Sequence, residues 1–198
     1  MNESGKEPKL SFELNESEKD ELLKLARRAL EMHVKERKTP DFKTESGILN
    51  TKCGAFVTLH KNGDLRGCIG YIEAYKPLYQ TIIEMAQAAS TKDSRFEPVT
   101  PGELGEIDIE LSVLSPLEKI TDFSKIIIGV HGLLVRQGYY SGLLLPQVAV
   151  EWNMSVEVFL EETCRKAGLP RNAYKNGADV YYYSAQVFGE KTRNGLSA

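Results

Sequence analysis

The feature that most constrains this chain is the dipeptide Asn62-Gly63, set inside "CGAFVTLHKNGDLRGCIGYI" (residues 53–72). Both residues tolerate positive φ, so Asn-Gly between two runs of β-branched and aromatic residues encodes a tight hairpin. Strands are expected at about 54–60 and 65–72. A turn centred on Asn62-Gly63 puts Val57 opposite Cys68, Leu59 opposite Arg66 and Cys53 opposite Ile72. Side chains alternate along a strand. Arg66 and Cys68 then share one face, and Leu65, Ile69 and Tyr71 the other.

Helical periods surround this hairpin. Leu22, Leu25, Ala26, Ala29, Leu30 and Val34 repeat at helical spacing behind Ser17, the expected N-cap, and Pro40 ends the pattern. A second helix is expected after Lys76, with Pro77 in its first turn and Leu78, Ile82, Met85, Ala86 and Ala89 as its buried stripe. Ile107, Ile109, Leu111 and Val113 alternate strictly, which predicts a half-buried strand. Short strands with tight turns at Gly129, Gly132 and Gly142 are expected next. A third helix runs from Ser155 to Gly168, with Cys164 on its apolar stripe, and a last strand covers "DVYYYSAQVF". Helices and strands are interspersed without βαβ repeats, so the reading is α+β: a mainly antiparallel sheet flanked by helices. One domain is expected over residues 15–190, with polar, flexible termini at 1–14 and 191–198.

Composition removes several function classes. A net charge of −3 leaves no basic field, so non-specific nucleic-acid binding is not expected. No apolar run reaches the roughly 20 residues of a membrane helix, and the N-terminus lacks an apolar signal segment. The three cysteines are widely spaced and odd in number, which fits a reducing cytoplasm better than a secreted disulfide framework. No C-x-x-C, H-x-x-x-H, acidic calcium loop or phosphate loop is present, so no metal and no cofactor is expected.

The chemistry concentrates at a few positions. Thiolate is the reactive form of cysteine, and a cation such as Arg66 on the same face favours it. Gly67 and Gly70 either let a substrate approach Cys68 or serve strand twist and helix packing. A nucleophile needs a base: His60 is assigned to the opposite face, His33 to the surface, and His131, in a glycine-flanked turn, is the candidate. In "DSRFEP", Arg95 is suited to grip a carboxylate or phosphate, with Asp93 beside it, or else the two pin the loop while Phe96 plugs the core. Gln147 and Glu151 are candidates for holding a polar ligand or for fastening a loop, and Trp152 is expected to pack.

Seven segments in order resemble one family: "LRGCIG", "DSRFEP", "ELSVLSP", "GVHGLLV", "LPQVAVE", "CRKAGL" and "AQVFGE". The family is the AMMECR-type domain, protein A of the AmmeMemoRadiSam system. The resemblance implies a larger and a smaller lobe with a cleft between them, and a Memo-type or radical SAM protein as partner. It brings no reaction with it. Two readings follow. One is an enzyme component with an active-site cleft around Cys68, acting on a small anionic ligand. The other is a binding module for a small molecule, peptide or nucleotide, or a scaffold, which predicts an exposed apolar patch.

Overall fold

The computed structural model describes residues 12–193. Its strands are β1 (Ala55–Lys61), β2 (Asp64–Tyr71), β3 (Ile107–Leu114), β4 (Glu118–Lys119), β5 (His131–Gln137), β6 (Tyr140–Leu144) and β7 (Asp179–Gly189). They form one antiparallel sheet in the order β2-β1-β3-β7-β5-β6, with β4 off this path against β7. The helices are α1 (Glu16–Glu36), α2 (Leu78–Thr91), α3 (Pro146–Glu151), α4 (Val156–Lys166) and α5 (Glu190–Arg193).

The sheet is curled, and each half carries its own core. In the larger lobe, Leu22, Ala26 and Leu30 of α1 and Ile82, Met85 and Ala89 of α2 bury Val57, Leu59, Ile109 and Leu111. In the smaller lobe, Phe159, Leu160 and Cys164 of α4 meet Leu133, Val135 and Val180. Strand β7 joins the two: Val180 lies in the smaller core and Phe188 in the larger. This α+β architecture agrees with the sequence reading.

The N-cap of α1 is Asn15, two residues before the expected Ser17. Asn15 accepts from the Glu18 backbone N–H at 3.0 Å, while the Glu18 carboxylate accepts from the Asn15 N–H at 2.9 Å. This reciprocal box satisfies two otherwise orphaned donors, which a cap at Ser17 could not do with Asp20 in the same way. The predicted flexible termini lie partly outside the described residues, at 1–11 and 194–198. Within them, Phe12 and Leu14 are buried, and Gln186 ties both backbones down through its side-chain amide.

The hairpin turn forms as expected, with Asn62 at φ 54° and Gly63 at φ 92°. Lys61 pairs with Asp64 and His60 with Leu65; then the register slips by one, so Leu59 faces Gly67, Thr58 faces Cys68 and Val57 faces Ile69. Arg66 is the extra residue of a β-bulge. Its guanidinium is held outside the hairpin, by Glu103 and the Glu97 carbonyl. The expected Val57–Cys68 and Leu59–Arg66 pairings are therefore corrected. The partners of Cys53 fall outside the strand pairing altogether.

Gly132 and Gly142 also differ from expectation: both lie within strands, and the β5–β6 turn is at Gly138 (φ 59°). Each allows a close approach. A Cβ on Gly132 would lie 2.3 Å from the Tyr183 ring, and one on Gly142 would lie 2.2 Å from the Ala167 backbone nitrogen.

Candidate functional site

On β1, Ala55, Val57 and Leu59 point into the core, and Phe56, Thr58 and His60 alternate onto the half-buried face. The bulge sets Cys68 directly across from Thr58 on that face. The Thr58 hydroxyl donates to Cys68 Sγ at 3.2 Å. The Cys68 side chain is half-buried, whereas Cys53 and Cys164 are fully buried; all three are free. Burial pushes the Cys53 thiol up to about 12 and raises the Cys164 thiol as well.

The backbone of Cys68 is fixed from the side. Its N–H donates to Asp93 Oδ2 at 2.8 Å. Arg95 closes on the same carboxylate through Nε and Nη2, at 2.9 and 2.6 Å, and through its own backbone N–H. The Asp93 carboxyl is held well below the usual carboxylate range, chiefly by the Arg95 bonds and also by the Cys68 N–H, against the opposing effect of burial. The bond to Asp93 in turn raises Arg95. The Arg95 side chain is 55% exposed, and its Nη1 has no hydrogen bond among the described residues. It lies over the half-buried Phe96 ring, 5.4 Å from the centroid. Phe96 is thus a shelf under Arg95, not the core plug that was expected.

Arg66 is committed elsewhere. Its Nε and Nη2 reach Glu103 at 3.0 and 3.2 Å. Glu103 also caps the turn at Thr100 and meets Lys61. Arg66 leads the causes that hold the Glu103 carboxyl at about 2. This corrects the expectation of Arg66 as a free cation beside the thiol. The two glycines serve the protein's own packing. A Cβ on Gly67 would lie 2.3 Å from the Ala89 carbonyl of α2, and one on Gly70 would lie 2.3 Å from the Phe56 ring.

The histidines change places. His60 shares the Thr58 face by alternation, because the bulge re-aims β2 and leaves β1 regular. The structure does not bring His131 to Cys68: β1, β3 and β7 intervene. His131 Nδ1 accepts from the Ile127 N–H at 3.1 Å, and its ring sits 4.8 Å from that of Tyr182. Burial lowers its pKa. His33 is half-buried near Thr91, as expected of a surface group. Gln147 and Glu151 are exposed on α3, which packs on β5, away from the hairpin. Trp152 is 74% exposed instead of packed, because α3 ends there, at its C-cap.

Across the curl, Phe56 and Gly70 face Leu134, Arg136 and Ser141 around a pocket of about 280 Å³. An ion pair from Arg136 to Glu73 links the two lobes beside it. Sequence reasoning did not single out Thr58, and it set His60 on the wrong face. Their neighbourhood with Cys68 depends on a one-residue bulge, which turn chemistry does not announce.

The AMMECR1 family model matches residues 23–188. A protein of Methanothermobacter thermautotrophicus is 46% identical over 187 residues, covering 89% of this chain and 96% of its own length. Protein TK0174 of Thermococcus kodakarensis is 42% identical, over 88% of this chain and 91% of its own length. The crystal structure of protein PH0010 from Pyrococcus horikoshii superposes with a TM-score of 0.72 at 41% identity, covering 86% of this chain and 90% of that one. The fold is shared with the Pyrococcus horikoshii protein, and the chain belongs to the AMMECR1 family.

Proposed function

We propose that this protein is an enzyme component that acts on a small anionic molecule through a thiol site centred on Cys68. The observation that carries the reading is the double hold on this residue. Its Sγ accepts from Thr58 while its backbone is tied to the Asp93–Arg95 pair. Thiolate is the nucleophilic form of cysteine, and Thr58 sets a hydrogen-bond donor at that sulfur. Arg95 keeps Nη1 for an incoming carboxylate or phosphate while Asp93 fixes its orientation. His60, on the same face, is the group that handles the proton; His131 is structural in this reading.

Residue-resolved alkylation tests it. Iodoacetate and iodoacetamide are reacted with the folded chain across a pH series, and the three cysteines are read by mass spectrometry. Cys68 is expected to label first, with buried Cys53 and Cys164 as internal controls. Iodoacetate is expected to be favoured relative to its reaction with free cysteine, and Arg95→Ala is expected to erase that preference. A Cys68 that stays unlabelled while the chain is folded overturns the reading and leaves a binding module.

A further inference from the structure

The smaller lobe carries a second groove, away from Cys68, between α3 and α4. We propose that this groove binds a medium-chain aliphatic carboxylate. Its volume is about 750 Å³, within the range of small-molecule sites. Its two ends differ in chemistry. Trp152, Met154 and Val158 make an apolar floor at one end, and Arg165 and Lys166 stand at the other. Val158, Glu162 and Lys166 are spaced four residues apart, so they line one face of α4. The distance along the helix from Val158 to Lys166 is about 12 Å at 1.5 Å per residue.

The apolar end faces water: Trp152 is 74% and Val158 is 40% exposed. No other part of the described chain covers them. The charged end has a surplus of cations. Glu162 is taken by Arg165 at 2.6 Å and by Arg171 at 2.8 Å, and Lys166 has no ion-pair partner among the described residues. An anionic head therefore meets Lys166 and Arg165, and an aliphatic tail covers Trp152 and Val158. A bare phosphate would use only the rim and leave Trp152 and Val158 wet. Charge complementarity and the apolar floor together select one molecule with both parts.

Trp152 is the only tryptophan in the chain, so its emission reports on this groove alone. Decanoate titrated into the full chain is expected to change that emission saturably. Octanoate, two methylenes shorter, is expected to bind about tenfold more weakly. Decan-1-ol lacks the charge and is expected to bind more weakly than decanoate. Lys166→Glu should weaken decanoate about tenfold and leave decan-1-ol unchanged. Val158→Asp, at an exposed position that folding tolerates, should abolish both while circular dichroism stays native. The proposal is overturned by an emission that does not saturate below micelle formation, by equal binding of decan-1-ol and decanoate, or by a Lys166→Glu chain that binds decanoate as before. Sedimentation as a dimer that Trp152→Asp converts to monomer also overturns it, because a second copy then occupies the groove.

Discussion

The two hairpins at the ends of the sheet are built alike and held differently. Both turn on positive-φ residues, Asn62-Gly63 in one and Gly138 in the other. Both use a strand glycine to seat a helix: Gly67 against the Ala89 carbonyl, Gly142 against the Ala167 nitrogen. The β1–β2 hairpin adds carboxylate–guanidinium pairs along its rim, Arg66–Glu103 and Asp93–Arg95. The β5–β6 hairpin carries one such pair, Arg136–Glu73, which crosses to the larger lobe, and is wedged by Gly132 under Tyr183, whose hydroxyl donates to the Leu144 carbonyl. Packing contact is all-or-none on the scale of a methyl group, whereas charge pairs respond to pH by degrees. A strand held from its rim keeps a face open, and Cys68 lies on such a face.

The largest effect is expected where a strand packs directly on helix backbone. Gly142→Ala drives a Cβ into backbone that has no flexible end to move, at a cost of about 3 kcal/mol. Thermal melting should show a drop of about 6–12 °C for a chain of this size. An unchanged melting temperature would mean that α4 is free to shift, and the contrast between the hairpins would fail. Asp93→Asn comes next. It strips Arg95 of its partner and weakens the bond to the Cys68 N–H, a loss of about 2 kcal/mol. Urea titration should show it, together with a gain in amide exchange at Cys68. The gain should be absent from Val135 in β5.

The local parts of this comparison were legible in the sequence. Asn62-Gly63 encodes its own turn, Ile107 to Val113 their own strand, and Ser155 with Gly168 their own helix ends, because each signal acts within a few residues. "LRGCIG" and "DSRFEP" were both singled out, yet the bond joining them spans 25 residues, from the Cys68 N–H to Asp93. Arg66, the extra residue of the bulge, is bonded to Glu103, 37 residues away. Neither separation has a sequence signature. His60 and His131 exchanged roles for the same reason. A one-residue slip reverses the face of Cys68 while the turn stays correct.

Acid should separate the hairpins further. Glu103 titrates at about 2 in the folded chain, below the ordinary value of about 4.3. A lowered carboxylate contributes stability that is present above its unfolded pKa and lost as pH falls through the folded one. Asp93 acts in the same direction. The wild-type chain should therefore lose stability as pH drops from about 4.3 toward 2, and Glu103→Gln should flatten that slope while costing about 1 kcal/mol at neutral pH. Chemical denaturation at several pH values measures both. A variant with the wild-type slope would show that the rim charges do not hold β2.

The smallest change in stability carries the sharpest chemical readout. Thr58→Val keeps the shape and β-branching of the residue but removes the hydroxyl that donates to Cys68 Sγ. The position is half-buried, so folding should shift by less than about 1 kcal/mol. If that hydroxyl stabilises the thiolate by a typical hydrogen bond of about 1 kcal/mol, alkylation of Cys68 at neutral pH should slow about fivefold. Thr58→Ser, which restores the donor, should recover most of the rate. Equal rates in all three chains would mean that the bond holds the β1–β2 pair together without tuning the sulfur. The difference between the two hairpins would then rest on their ion pairs and helix packing and not on the sulfur.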